Sequence, residues 1–530
     1  MRKTKDWGWL RYGLLPILLT FCLSPALARS YGLFIAGVEV TDENRDKLDK
    51  IGGVKVATGG ELKYDPSSNT LSLKDVEMTV NGKIGIYNET LAGLKIAVAG
   101  NNTITVSGAN GLSLKADTSL EGTGSLTVKA TNFAVWTNAR LTLADLTIDT
   151  QGKFGFVGDK QSSSKYNGDL IIKNALVKAQ GSTGAICYFN TFTLNESLLI
   201  EPGEGGWDKN EHVVLEDMEE DWKARNVKIV PFYGLYIAAQ PVTSENINNL
   251  GSFPGVTIGA NGLFTYNRNT KTLTMKNVTI TGTNRRALID NRLNPNFTIE
   301  VLGDNQITNK EYGCFEFHTS STIKGSGKLT IIAEGASYEP IQFFHGTTLS
   351  IADVTLDLSG AWGICGQHLM GVLNIQNATI TTNCSHAALG NFYFFYLKQC
   401  FISEPEVHYW DNFHHVLKKD GENVKRLKIS PFILNLDQTT LANVPATGGK
   451  PTVTVTANKP WTLTIPSAAT WVTPSETSGT GDKQITFTVS KNDSFTPRSA
   501  TVTFTQAESN KTLQLEIKQA AATPIFTLDP

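Results

Sequence analysis

The chain has 530 residues, with 47 Lys and Arg against 49 Asp and Glu, a net charge of −2 and a hydrophobic fraction of 40%. It is too long for one compact core, so several domains or a stacked array are expected. No basic block is present, which argues against a nucleic-acid partner, and after residue 28 no apolar run reaches the ~20 residues of a membrane-spanning helix.

Residues 1–28 read as a secretory leader. Arg2, Lys3, Lys5 and Arg11 precede an apolar run from Leu14 to Leu27, and Ala26-Leu27-Ala28 is a small-x-small cleavage site. The expectation is an exported chain: periplasmic, at an outer-membrane surface, or extracellular. Cys22 raises a lipid anchor, although Phe21 stands where a small residue is expected before a lipidated cysteine. The other cysteines, Cys187, Cys314, Cys365, Cys384 and Cys400, are odd in number and include no CxxC. They read as free thiols packed as small apolar groups.

Beyond residue 30 the chain is built on a duplication. YGLFIAGVEVTDEN, from Tyr31, returns as YGLYIAAQPVTSEN from Tyr233. The match runs without a gap through Tyr64/Tyr266, Leu71/Leu273 and Val76/Val278. It resumes with small slips: GTGSLTV from Gly122 answers GSGKLTI from Gly325, and LADLTID from Leu143 answers IADVTLD from Ile351. Each copy closes on one phrase, VKIVPF ending at Phe232 and LKISPF ending at Phe432. A repeat of this length sets the architecture before any local motif does.

Within each copy, short segments alternate apolar and polar residues between Gly, Asn, Asp and Ser: 70–80, 94–106, 119–130, 140–150, 170–181 and 192–202. The spacing is that of one solenoid coil. The phase change at Ala144-Asp145 predicts a bend between two strands. Asn in Gly-Asn-Asn-Thr-Ile-Thr (100–105) and Gly-Asp-Asn-Gln-Ile-Thr (303–308) is expected to bond backbone at tight corners. No stretch has strong helical periodicity. The predicted fold is all-β: two tandem right-handed parallel β-helix units, 29–232 and 233–432, in which stacking builds a core no single coil can bury. An up-and-down sandwich is the alternative, but two-residue hairpin turns are scarce. After Phe432 the chain becomes rich in Thr, Val and Ser. Strands near 433–437, 452–457, 461–465, 484–489, 500–505 and 512–518 have the rhythm of an immunoglobulin-like β-sandwich over 433–520, with a tail at 521–530.

The YGLxIAxxxVTxxN opening and the IxG-x-G-x-L coils resemble secreted carbohydrate-binding-type β-helix proteins of gut Bacteroidota, over about 31–432. The C-terminal segment resembles the BACON module of Bacteroidota glycan-degrading proteins. That likeness is carried by Trp461, Trp471-Val472, Ile485 to Val489, Asn492, Arg498 and Gln519. The resemblances imply a non-catalytic role, with polysaccharide or host glycan as partner and outer-membrane surface complexes as a setting. Trp461 and Trp471 read as core residues of the sandwich.

Four constellations could carry chemistry. Asp145 and Asp149 recur as Asp353 and Asp357, but four residues along a strand is about 13 Å. Glycosidase pairs need about 5 Å or about 6.5–9.5 Å. Carboxylates of adjacent coils remain open to meet one another or Ca²⁺, which keeps a lyase or hydrolase as an alternative. His408, His414 and His415 cluster without a cysteine at ligand spacing, and no metal site is assigned. The acidic run Glu216 to Asp221 reads as a solvated turn, with Ca²⁺ as an alternative. The fourth is an aromatic gain in copy two. Asn190, Thr191 and Thr193 become Tyr393, Phe394 and Tyr396; Gly205, Gly206 and Asn210 become His408, Tyr409 and Phe413. Exposed rings there would stack on pyranose faces, at about 1–3 kcal/mol each. The candidate glycan site is Tyr393, Phe394, Tyr396, His408, Tyr409, Trp410 and Phe413, with no catalytic residue. A packing surface against the sandwich or at the solenoid end, or a protein-binding adhesin or spacer, are the competing readings.

Overall fold

The computed structural model describes residues 28–524 except 163, 284, 336 and 345. The leader, Cys22 and the tail from 525 lie outside the described residues. The chain is all-β: among the described residues the helices are three one-turn 3₁₀ segments, Leu48–Lys50, Leu250–Ser252 and Ala507–Ser509. None is long and apolar enough to cross a membrane. Parallel β-solenoid coils, about 13 turns in all, occupy residues 70–398. The chain divides into two compact units, Met1–Pro231 and Phe232–Pro530.

The first unit opens with Ser30–Ile35, antiparallel to Val38–Thr41 and to Ile86–Asn88. Asn44 fixes the turn between Val38–Thr41 and the following segment. Its Oδ1 accepts from the Thr41 amide at 2.8 Å and its Nδ2 donates to the Glu39 carbonyl at 2.8 Å. The strand Thr70–Asn81 then starts two parallel ladders. Its first half pairs with Leu94–Ala99, and from there through Thr118–Glu121, Arg140–Ala144 and Asp169–Lys173 to Thr191–Asn195. Its second half pairs with Asn101–Ser107, then Ser125–Ala130, Thr147–Val157 and Leu176–Cys187. A third ladder joins Ile86–Asn88, Leu112–Leu114 and Phe133–Thr137. Alternate residues point inward, so Leu71, Ile96, Leu120, Leu143 and Ile172 stack as a buried column. Each coil thus buries its apolar edge only through its neighbours. The strand Asn226–Ile237 begins in this unit, antiparallel to Leu176–Cys187 and Ser197–Glu201.

The second unit repeats the plan. The three ladders run through Phe297–Leu302 to Phe394–Lys398, through Asp304–Asn309 to Thr379–Gly390, and through Ile289–Asn291, Phe315–Phe317 and Ile341–Phe343. Its core is more aromatic: Phe297, Phe315, Phe317, Phe343 and Phe392 are fully buried. Arg426–Pro431 closes it, antiparallel to Thr379–Gly390 and Cys400–Glu404.

The coil corners explain residues that recur between copies. Asp75, Asp145, Asn174 and Glu196 have φ of 54°, 57°, 46° and 47°; Asn277, Asp353, Asn377 and Gln399 have 55°, 55°, 46° and 56°. Six of these eight are Asn or Asp, whose short polar side chains tolerate this left-handed conformation. Gly100, at φ 59°, has a second reason: a Cβ there would sit 2.1 Å from Asp75 Oδ1, which accepts from the Asn101 amide at 2.9 Å. The predicted bend at Ala144-Asp145 is this corner.

After Phe432 the second unit continues as two sheets. One holds Leu434–Leu436, Thr452–Ala457, Lys483–Val489 and Val472–Pro474. The other holds Thr440–Val444, Lys511–Gln519, Arg498–Gln506, Trp461–Thr464 and Ser478–Gly479. The six expected strands are present; Thr440–Val444, Val472–Pro474 and Ser478–Gly479 are additional and too short to show a period. Trp461 is 1% exposed and donates from Nε1 to the Gly481 carbonyl at 3.2 Å. Trp471 packs against the same core under the Arg498 guanidinium, 4.5 Å from its ring centroid. Asn458 ties these sheets to the closing strand, accepting from the Ile433 amide and donating to the Pro431 carbonyl, each at 2.8 Å. Lys459 lies 4.2 Å over the Phe401 ring.

Candidate functional site

The strand Phe394–Lys398 ends one parallel ladder of the second unit. It pairs with Val372–Gln376, and among the described residues no strand pairs with its other edge. Its alternation decides what faces outward. Phe395 and Leu397 pack on the core, while Phe394 is 42% and Tyr396 57% exposed. Their rings lie 6.0 Å apart with planes 22° from parallel. Tyr393, 56% exposed, stands at 84° to Phe394 with centroids 4.9 Å apart. The corresponding strand of the first unit, Thr191–Asn195, pairs with Asp169–Lys173 in the same way and exposes Thr191, Thr193 and Asn195. The register therefore matches the sequence alignment, and only the outward side chains changed chemistry.

The other candidate residues sit on the hairpin formed by Tyr409–Asp411 and Val416–Lys419. Tyr409 and Phe413 are exposed, Phe413 at 85%. Among the described residues Tyr409 makes no ring contact with the row; His415, 6.3 Å from Tyr393, is the link between hairpin and row. Two expected residues turn away from solvent. Trp410 stacks on buried Phe392 at 5.1 Å and meets Phe395 edge-on at 5.2 Å, as Trp207 meets Phe192 in the first unit. His408 is half-buried, its Nδ1 3.0 Å from the Pro405 carbonyl oxygen. Both serve the hairpin's packing, so the exposed set reduces to Tyr393, Phe394, Tyr396, Tyr409 and Phe413. The sandwich is joined at Pro431, Ile433 and Phe401, and leaves these rings uncovered.

Asp411 anchors the hairpin. Lys418 Nζ lies 2.9 Å from Oδ2, His414 Nδ1 lies 2.6 Å from it, and the Phe413 and His414 amides donate to Oδ1. Lys418, then the His414 contacts, hold its carboxyl well below the usual carboxylate range. His408, His414 and His415 do not converge on a common point.

Three of the four recurring aspartates have partners of their own. Asp145 Oδ1 accepts from Asn174 Nδ2 at 2.6 Å, and Asp353 Oδ1 from Asn377 Nδ2 at 2.7 Å. They are corner residues, not strand-face ones. Asp357 pairs with Lys328 at 2.6 Å. The acidic run is a hairpin turn between Val213–Asp217 and Glu220–Lys223.

Carboxylates of adjacent coils do meet elsewhere. Asp290 and Glu316 face each other across the parallel pair Ile289–Asn291 and Phe315–Phe317, with His318 beside them. Burial pushes the Asp290 carboxyl above its usual range, with the Arg292 guanidinium opposing. The sequence reading missed this group. The signal was available in the copies: Tyr87 and Ser113 hold these two positions in the first unit, where they also face each other.

Residues 460–520 match the family described as "BACON: Putative binding domain, N-terminal". The match covers a small part of the chain and speaks for that segment. No curated protein matches. Among solved structures, one similar stretch lies in a Bacteroides ovatus GH5 xyloglucanase in complex with a XXXG heptasaccharide. It is 25% identical, with a TM-score of 0.16, covering 18% of this chain and 20% of that one. The chain thus spans about a fifth of that enzyme's length, and a similarity this low carries no argument about fold or activity.

Proposed function

We propose that this is an exported, non-catalytic glycan-binding protein: two tandem right-handed solenoid units and an immunoglobulin-like C-terminal sandwich, with its platform on the last coil of the second unit. The observation that carries the reading is the exposed row Tyr393, Phe394 and Tyr396 on a strand whose counterpart exposes threonine and asparagine. A core role would bury these rings, and a sandwich-docking role would cover them. Rings held on a rigid strand lose little side-chain freedom when a sugar face lies on them, and each would contribute about 1–3 kcal/mol. Binding should then be weak per site and insensitive to salt. The matched BACON segment supports the reading, because that family's description is of a binding domain.

The test uses residues 29–530 against a glycan array and insoluble polysaccharides, beside Tyr393→Ala/Tyr396→Ala at unchanged melting temperature. Binding that the variant loses supports the platform. Binding that it keeps moves the site to the first unit or the sandwich. Absence of glycan binding leaves a protein-binding adhesin or spacer, for which the unpaired edge of Phe394–Lys398 is the suitable surface. Release of reducing sugar or unsaturated product would overturn the non-catalytic reading in favour of a lyase or hydrolase.

A further inference from the structure

One face of the coil changes its chemistry between the units. In the first unit Tyr87 lies opposite Ser113. Lys115 sits 5.2 Å over the Tyr87 ring and 3.8 Å from Glu89, with both charged groups well exposed. That is an ordinary solvated arrangement. In the second unit the same places hold Asp290, Glu316, His318 and Arg292. Here the carboxylates are buried, Asp290 at 3% and Glu316 at 7% exposure.

The hydrogen bonding is incomplete in a specific way. Asp290 Oδ2 accepts from Arg292 Nε at 2.7 Å. Its other oxygen, Oδ1, is buried and has no hydrogen-bond partner, and neither does buried His318 Nε2. These two orphaned atoms lie 3.4 Å apart, and Glu316 Oε2 is 3.6 Å from the same nitrogen. Ligand atoms of all three residues fall within 4.8 Å of one another. A buried polar atom without a partner is costly to the fold. Two such atoms facing each other beside a second carboxylate are what a bound cation would resolve.

We propose that Asp290 Oδ1, a Glu316 carboxylate oxygen and His318 Nε2 form a three-ligand site for a divalent transition cation of the Zn²⁺ type. One imidazole nitrogen and two carboxylate oxygens suit Zn²⁺, which accepts three protein ligands and leaves a further position open. Ca²⁺ asks for six to eight oxygens, which two carboxylates do not supply. The surroundings orient the donors. Arg292 occupies the second Asp290 oxygen and so turns Oδ1 toward the cluster. The His318 ring stacks on Phe344 at 3.9 Å and 19°, which fixes its plane. Such outer contacts position metal ligands. With neutral His318, two carboxylates and one guanidinium leave a net single negative charge for the cation. His318, 31% exposed in its side chain, is the side from which it enters. Nothing here depends on the aromatic row.

The test is titration calorimetry of chelator-treated 29–530 with ZnCl₂, beside Glu316→Gln and His318→Gln whose melting temperatures are measured in parallel. The expected result is one Zn²⁺ per chain, a raised melting temperature on binding, and loss of that binding in both variants. His318→Gln removes a partly exposed ligand, so it reads the site even if Glu316→Gln fails to fold. His414→Gln should bind as the parent does. No uptake at millimolar Zn²⁺, uptake unchanged in His318→Gln, or Ca²⁺ competing on equal terms would each overturn the assignment. Replacement by Co²⁺ should give a visible absorption band that His318→Gln lacks.

Discussion

Asn102 and Asn305 make the same three hydrogen bonds at the same corner of their coils. Asn102 Oδ1 accepts from the Val76 amide at 3.0 Å, and Nδ2 donates to the carbonyls of Ala99 at 2.8 Å and Ser125 at 3.1 Å. Asn305 does so with Val278 at 3.0 Å, Leu302 at 2.9 Å and Lys328 at 3.3 Å. Each buried amide therefore bridges the coil before it, its own, and the coil after it. Asn305→Ala would take this partner from a backbone amide and two carbonyls, one on each of the three coils. The expected loss is roughly 2–4 kcal/mol, read as faster amide exchange in Asp304–Asn309 and the two strands flanking it. Unchanged exchange would show that the amide is not the tie.

The aromatic residues around 392–410 should separate into two classes. Phe392 is fully buried, and Phe392→Ala should cost about 3–5 kcal/mol; Trp410→Ala, which removes the ring stacked on it, should lower the melting temperature as well. Phe394→Ala and Tyr396→Ala should stay within about 0.5 kcal/mol of the parent. A destabilised Tyr396→Ala would mean that its ring is structural and would weaken the platform reading.

This division shows where the sequence was informative. The duplication, the strand rhythm and the corner asparagines were legible because each depends on local repetition. The gain of Tyr393, Phe394 and Tyr396 was legible because copy one supplies the comparison. The half-burial of His408 and Trp410 was not legible, because a three-residue strand in a hairpin has too little periodicity to show which side faces the core. Asp290, Glu316 and His318 escaped because they lie on different coils, and their meeting depends on coil length and register, which no single segment contains. The aspartates at 145 and 353 recur for backbone conformation, which imitates the recurrence of a site.

Acid should loosen the 409–419 hairpin before its surroundings. The Asp411 carboxyl is held below its ordinary value in the folded chain by Lys418 and His414, so its contribution is present above the unfolded value of about 3.9 and is lost as pH falls below it. Amide exchange across Tyr409–Lys419, corrected for intrinsic rate, should accelerate progressively as pH falls from about 5 toward the depressed folded value. Asp411→Asn should remove that dependence; if the dependence persists, another group carries it.

The five cysteines among the described residues are buried free thiols. Burial pushes Cys187, Cys314 and Cys365 up to about 12 and Cys384 to about 11. Since the thiolate is the reactive form, native 29–530 should not react with an aromatic disulfide reagent near neutral pH, and all five should react in denaturant. The unfolded chain releases these protons near about pH 8.5 while the folded chain holds them, so stability should fall as pH rises beyond that value. Rapid labelling of the native protein would contradict the burial.

Because the Asn102 and Asn305 amides each reach only one coil in each direction, these ties do not register how many coils lie beyond. A lineage could drop or copy a coil, carry its corner asparagine along, and leave both remaining faces in register. Length is then an easily changed evolutionary variable, whereas the outward residues of any one coil can drift toward a new ligand without disturbing the stack. The two copies in this chain differ in that manner, one presenting hydroxyls and the other rings and a buried acidic pair.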